Sequence, residues 1–191
     1  MLGTSAAKPA AKYSAAGLVW KGLRRTAWPR AWRSHELKKR YDVVIIGAGV
    51  HGLAAAYYLA ANHGITDVAV LDKGYLGGGG SGRNTAIVRS NYLTPEGVAF
   101  YDRSLALYKS MAKDLNINVM FSERGHLTLA HTDAALRTMR WRAEVNKLQN
   151  IDSEVIGPGR IAKLVPSLDV STQTRFPIQG ALYHPPGGTI R

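Results

Sequence analysis

Asp42-Val43-Val44-Ile45-Ile46-Gly47-Ala48-Gly49-Val50-His51-Gly52 is the stretch that decides the fold. Val43 to Ile46 is an unbroken run of β-branched side chains, the pattern of a short strand buried on both faces in a parallel sheet. Leu53 to Ala61 follows, rich in alanine and leucine, which are strong helix formers. Asn62-His63-Gly64 ends that helix, with glycine as the C-terminal stop. Asp67-Val68-Ala69-Val70-Leu71 reads as a second strand, and Asp72 stands at its end. The order strand, glycine turn, helix, strand, acid is that of a dinucleotide-binding βαβ unit. Gly47 permits the tight turn out of the strand, Gly49 lets the backbone approach a pyrophosphate, and Gly52 allows helix and strand to pack closely. The anion then sits at the helix N-terminus, where unpaired N–H groups and the helix dipole favour it. Asp72 follows the last glycine by 20 residues, the place for an acid that accepts hydrogen bonds from ribose hydroxyls.

Outward from this unit, Lys73-Gly74-Tyr75-Leu76-Gly77-Gly78-Gly79-Gly80-Ser81-Gly82 carries six glycines between residues 74 and 82. Ordering glycine into a helix or strand costs extra backbone entropy. The segment is therefore a flexible linker or a loop whose N–H groups wrap a ligand. Its position just after the ribose acid favours the ligand loop. Arg83 and Asn84 then supply side-chain donors beside the cofactor.

The whole chain has 191 residues, 25 Lys plus Arg against 13 Asp plus Glu, and a formal charge of +12. Hydrophobic residues make up 46% and charged residues 20%, a globular composition. There is no cysteine, which excludes disulfides, thiolate metal sites, iron–sulfur clusters and a cysteine nucleophile. No apolar run approaches the roughly 20 residues of a membrane helix. Residues 1–40 hold ten basic side chains and one acid, Glu36, so +9 of the charge lies there and the remainder is near neutral. The high pI describes this extension, and whole-chain charge is no argument for nucleic acid.

Three readings fit residues 1–40. They match a mitochondrial transit peptide loosely, being Arg-rich and poor in acids. They also suit a solvated basic tail. Trp20, Trp28 and Trp32 favour a third reading, an arm that docks on a partner subunit, because tryptophan anchors are frequent in interfaces. The expected organisation is an extension at 1–40 and a body at 41–191.

In the rest of the body, Thr94-Pro95-Glu96 is a helix start, with threonine as cap and proline in the first turn. Leu105, Tyr108, Met111 and Leu115 then lie at helical spacing and read as core. Val119-Met120-Phe121 and His126-Leu127-Thr128-Leu129 read as strands paired with each other around Arg124-Gly125. Thr132-Asp133 starts another helix with Leu136, Met139 and Leu148 inward. Ile156 to Pro166 reads as a short helix and its loop, and Arg175 to Tyr183 as extended chain. His126, His131 and His184 show no metal-ligand spacing and read as polar strand-end residues.

The glycine turn, Asp72-Lys73-Gly74, and the loop running into Arg83-Asn84-Thr85-Ala86-Ile87-Val88-Arg89-Ser90-Asn91-Tyr92 resemble the amino-acid-oxidase type of FAD-dependent oxidoreductase. The match is nearest to the β subunit of heterotetrameric sarcosine oxidase. Arg124-Gly125, Leu129-Ala130-His131 and Arg175-Phe176-Pro177-Ile178-Gln179-Gly180 carry it further, so that it covers essentially all of 41–191. Tyr13-Ser14 and Ala31-Trp32-Arg33 are similar to the lead of proteobacterial versions. The resemblance implies an α/β fold: a Rossmann-like FAD-binding domain, incomplete, with the start of an antiparallel substrate-domain sheet. It implies non-covalent FAD and hydride transfer from sarcosine, an amine acted on at its CH–NH bond. It also implies partner subunits in a hetero-oligomer and a cytoplasmic location, or a mitochondrial one if the lead is a transit peptide. Neither nucleic acid nor membrane is an expected partner.

Gly47, Gly49, Val50, His51, Gly52 and Asp72 match the family's FAD positions and Thr85 and Ile87 match later ones, with Lys73, Gly80, Arg83 and Asn84 as further cofactor-binding candidates. Gly80 replaces an asparagine of some members. Arg89 lies where related oxidases keep a basic residue on the substrate side of the flavin. A covalent FMN belongs to the complete family member. Its attachment histidine follows the stretch matching Gly187-Gly188-Thr189-Ile190-Arg191 and is not in this sequence. The expectation is therefore an N-terminal part of a longer subunit, inactive by itself. Other amine or D-amino-acid oxidases of the same fold are the alternative.

Overall fold

The computed structural model describes residues 14–24 and 35–190. Trp28, Trp32, Tyr13, Lys8, Lys12, Arg25, Arg30 and Arg33, which belong to the expected docking arm, lie outside the described residues, as does Arg191. Of that arm, helix α1 (Ala15–Arg24) is described and buries no residue; Leu18, Val19, Trp20 and Leu23 are exposed. The Arg24 guanidinium lies 4.1 Å from the centre of the Trp20 ring.

The described residues fall into two compact units, one within Trp20–Thr85 and one from Ala86 onward, the latter taking in residues 14–19. In the first, strand β1 (Val43–Ile46), helix α2 (Val50–His63) and strand β2 (Val68–Leu71) follow in the expected order. The strands run parallel in a register from Val43 opposite Val68 to Ile46 opposite Leu71. Helix α2 packs on both. Gly64 stops it in the left-handed conformation, φ 68°, its N–H reaching back to the Ala60 carbonyl.

The expectation that β1 is buried on both faces does not hold. Its side chains alternate across the pleat, and Val44 and Ile46 are 53% and 89% exposed. Among the described residues β2 is the one strand beside it, α2 lies on one side, and the other face meets solvent.

The second unit contains strand β3 (Ile87–Val88), helix α3 (Pro95–Leu115), strands β4 (Ser122–Glu123) and β5 (His126–Ala130), helix α4 (Asp133–Leu148), strand β6 (Glu154–Ile156), helix α5 (Pro158–Leu164), and strands β7 (Gly180–His184) and β8 (Gly188–Thr189). They form two antiparallel three-stranded sheets, β3-β8-β4 and β5-β7-β6. Threonine caps begin both long helices as expected: Thr94 Oγ1 accepts the Gly97 N–H at 3.1 Å and Thr132 Oγ1 the Ala135 N–H at 3.2 Å. The sheet β5-β7-β6 is covered on both faces. Ala130 and Leu182 pack against Met139 and Ala143 of α4. Ile156 and Ala181 pack against Ile161 of α5 and Ile178.

Three expectations need correction here. Residues 119–121 are not a strand, and β4 and β5 do not pair with each other. Met120 sits at φ 50°, which breaks extension, and Gly125 at φ 83° bends the chain between β4 and β5. The two therefore run in succession against β8 and β7, bridged by the Gly125 N–H to the Gly187 carbonyl at 2.8 Å. Pro185-Pro186-Gly187 supplies one more residue than Arg124-Gly125 opposite it, so the register slips by one as in a β-bulge. Leu115 and Leu148, expected inward, are 44% and 86% exposed. Each is the last residue of its helix, carried past the layer that would cover it.

Candidate cofactor site

The turn between β1 and α2 is held by backbone. The Gly47 N–H donates to the Leu71 carbonyl at 2.7 Å, and Gly47 adopts φ 106°. A Cβ on Gly52 would lie 1.9 Å from the Gly47 carbonyl oxygen and 3.3 Å from the Ile45 side chain. The third glycine of the motif is thus demanded by helix-on-turn contact, as its spacing foretold. Gly49 offers no side chain to cap α2, so its first turn keeps the character of an anion site apart from the Val50 N–H, which a side chain of the following loop accepts.

Asp72 reaches back to this turn. Its Oδ2 accepts the Ala48 N–H at 2.8 Å and its Oδ1 accepts the Gly74 N–H at 2.8 Å. These two bonds, the one from Ala48 foremost, hold its carboxyl below the ordinary aspartate range. Each oxygen retains a further lone pair, and the side chain is exposed. The residues therefore fit an FAD: a glycine cradle that a Cβ would fill, a helix start whose N-cap glycine has no side chain, and an ionised acid with acceptor capacity to spare.

The glycine-rich segment folds onto the turn and does not run free as a linker. The Gly77 N–H donates to the Ala48 carbonyl at 2.9 Å, and the Gly82 N–H closes a ring onto the Gly77 carbonyl at 2.8 Å. Ser81 Oγ accepts the Val50 N–H at 2.9 Å. Asn84 Nδ2 donates to the Ser81 carbonyl, so one of the expected cofactor donors also braces the loop. The site residues drawn together are thus Gly47, Gly49, Val50, Gly52, Asp72 and Asn84. His51, Lys73, Gly80, Arg83 and Thr85 lie exposed on the same unit. Ser81 was missed by sequence reasoning; the available signal was a single hydroxyl in a run of glycines.

Ile87 and Arg89 belong to the second unit. Arg89 Nη1 donates to Asn91 Oδ1 at 2.9 Å, and its guanidinium lies 4.6 Å from the centre of the Tyr92 ring. Arg142 Nη2 donates to the Asn91 carbonyl at 3.0 Å, and Tyr92 stacks on Tyr101 at 3.8 Å between ring centres. Burial, with Arg89 adding repulsion, lowers the Arg142 pKa from its ordinary value. Beneath this segment lies His184, fully buried at the end of β7. Its Nδ1 lies 2.6 Å from the Asp152 carbonyl, and its Nε2 faces the Ser90 N–H at 3.2 Å. Nδ1 therefore carries the proton and Nε2 accepts. Burial lowers its pKa below the ordinary histidine value, which keeps the ring neutral.

A parallel βαβ unit with a glycine cradle and an acid at the end of β2 defines a dinucleotide-binding protein. Residues 42–191 match the model of the FAD dependent oxidoreductase family, and the chain belongs to that family. It is 47% identical to the sarcosine oxidase subunit beta of Rhodobacter capsulatus over 94% of this chain and 44% of that protein. It is 29% identical to the mitochondrial dimethylglycine dehydrogenase of Mus musculus over 93% of this chain and 19% of that one. Among solved structures, the L-proline dehydrogenase of P. horikoshii superposes with a TM-score of 0.69 at 25% identity, covering 81% of this chain and 39% of the other. The chain thus spans less than half the length of these relatives. Among the described residues, no helix is long and apolar enough to cross a membrane.

Proposed function

We propose that this chain forms the FAD-binding part of an amine-oxidising flavoprotein of the sarcosine oxidase β-subunit type, acting on sarcosine to give glycine. The observation that carries this reading is the continuous likeness to a sarcosine oxidase β subunit across both compact units. Bound FAD supplies the hydride acceptor for the C–H beside the amine. Gly47, Gly49, Val50, His51 and Gly52 receive its pyrophosphate at the start of α2. Asp72 accepts from the ribose with its remaining lone pairs, and Lys73, Gly80, Arg83, Asn84, Thr85 and Ile87 complete the contacts. Arg89, held by Asn91 and Tyr92, serves the substrate side, where a guanidinium attracts the carboxylate of an N-methyl amino acid.

Residues 1–40 dock on another subunit of a hetero-oligomer in the cytoplasm. The exposed apolar residues of α1 and its basic last turn support that role. A covalent FMN belongs to the same assembly. A second reading, oxidation of dimethylglycine, draws on the likeness to dimethylglycine dehydrogenase. The test is a chimera in which residues 42–190 replace the matching part of the Rhodobacter capsulatus subunit. Anaerobic bleaching of its flavin by sarcosine supports the proposal; bleaching by dimethylglycine alone supports the second reading.

A further inference from the structure

We propose that Ser81 is a cofactor-binding residue whose hydroxyl exchanges roles when FAD arrives, from acceptor of the Val50 N–H to donor toward the pyrophosphate. The inference rests on the FAD reading of the glycine turn. Its basis is the position of one oxygen atom. Ser81 Oγ takes the Val50 N–H at 2.9 Å, at the first residue of α2, where the fingerprint places a phosphate oxygen. It can approach because Gly49 carries no side chain; a Cβ there would lie 3.2 Å from Ser81 Oγ. The loop is tied to the turn at a second point by the Gly77 N–H on the Ala48 carbonyl at 2.9 Å. Its own ring, Gly82 N–H to the Gly77 carbonyl, and the Asn84 amide on the Ser81 carbonyl fix where residue 81 points.

An N–H of this kind serves one strong acceptor at a time. A charged phosphate oxygen is a better acceptor than a neutral hydroxyl, because the bond is charge-assisted. The Val50 N–H therefore passes to the phosphate. The displaced hydroxyl has a proton to donate and two lone pairs, and it stands beside the anion with no need of a loop movement. The bond lost is neutral and the bond gained is to a charge, so the exchange favours the bound state. Ser81 thus holds the loop closed over the turn before and after binding. This role is separate from that of Asp72, whose carboxylate cannot donate at neutral pH.

The experiment compares the 191-residue chain with Ser81→Ala and Ser81→Thr, with FAD, ADP and adenosine as probes. Far-UV circular dichroism and melting confirm that each variant is folded. Ser81→Ala is expected to weaken FAD and ADP roughly tenfold, the size of one charge-assisted bond, and to leave adenosine unchanged. Ser81→Thr, which keeps the hydroxyl, restores FAD and ADP. Without ligand, the Val50 amide exchanges hydrogen faster in Ser81→Ala than in the parent chain; with FAD bound it is protected in both. If Ser81→Ala binds FAD equally or more tightly while the parent chain binds it well, the exchange of roles is wrong and the FAD reading stands. If the parent chain binds neither FAD nor ADP, the FAD reading falls and takes this inference with it.

Discussion

The carboxylate of Asp72 accepts the backbone N–H of Ala48 at 2.8 Å, so the acid that ends β2 also fixes the glycine turn that follows β1. One side chain therefore shapes the cradle and keeps spare lone pairs, which the proposed function assigns to a ribose. Asp72→Asn keeps the shape but replaces one charged acceptor by a donor. Its FAD affinity is expected to fall at least about tenfold, measured by equilibrium dialysis. Because the native pKa is depressed, the stabilisation from Asp72 is fully present above the ordinary value of 3.8 and is lost as pH falls through the lower native value. Titration of the Asp72 carboxyl by NMR should place its midpoint below 3.8; a midpoint above it contradicts the two backbone bonds.

Gly52→Ala tests the turn sterically. The added Cβ meets the Gly47 carbonyl at 1.9 Å, so helix and turn must separate at a cost of about 1–3 kcal/mol. Gly79→Ala is the control, since a Cβ there meets nothing within 4 Å. Denaturant unfolding is expected to show the loss for position 52 and near-parent stability for position 79.

His184 ties three segments of the second unit through a neutral ring: Ser90, Asp152 and its own strand. Its pKa is lowered chiefly by burial, and that of His126 nearby likewise. The unfolded chain then binds more protons than the folded one below the ordinary value of 6.5. The contribution is fully present above 6.5 and declines as pH falls toward the native value. Stability should fall from pH 7 to pH 5, and His184→Phe, which leaves the Ser90 N–H and Asp152 carbonyl unpaired, should cost about 1–3 kcal/mol per group. A variant as stable as the parent removes the ring from its role.

The βαβ unit was readable in the sequence because its signals are local: β-branched runs, glycines at fixed offsets, an acid at fixed distance. The threonine caps before α3 and α4 were readable for the same reason. Strand partnership was not. β4 and β5 are neighbours in sequence, yet their partners lie about 60 residues later in β8 and β7, and the bend at Gly125 that prevents a hairpin resembles an ordinary turn glycine. Burial of β1 on both faces was inferred from composition alone, which describes the environment a strand suits and not which neighbours it has. Ser81 escaped notice because its role comes from the folding back of the loop, which no spacing rule encodes.

The uncovered face of β1 and β2, with Val44, Ile46 and Leu71 exposed, has a consequence for the chain by itself. Unpaired strand edges beside an apolar face favour self-association. Val44→Lys should lower the association of the 191-residue chain in sedimentation velocity without loss of secondary structure. Equal association of variant and parent would assign it to another surface.

The central claim is that Gly47 to Gly52 with Asp72 hold FAD. The direct measurement is a titration of the 191-residue chain with FAD and, separately, with NAD, followed by flavin fluorescence for the first and calorimetry for both. Saturable binding of FAD at one site, abolished by Asp72→Ala together with Gly52→Ala, and weaker or no binding of NAD is the predicted result. Tight NAD binding with no binding of FAD would contradict it.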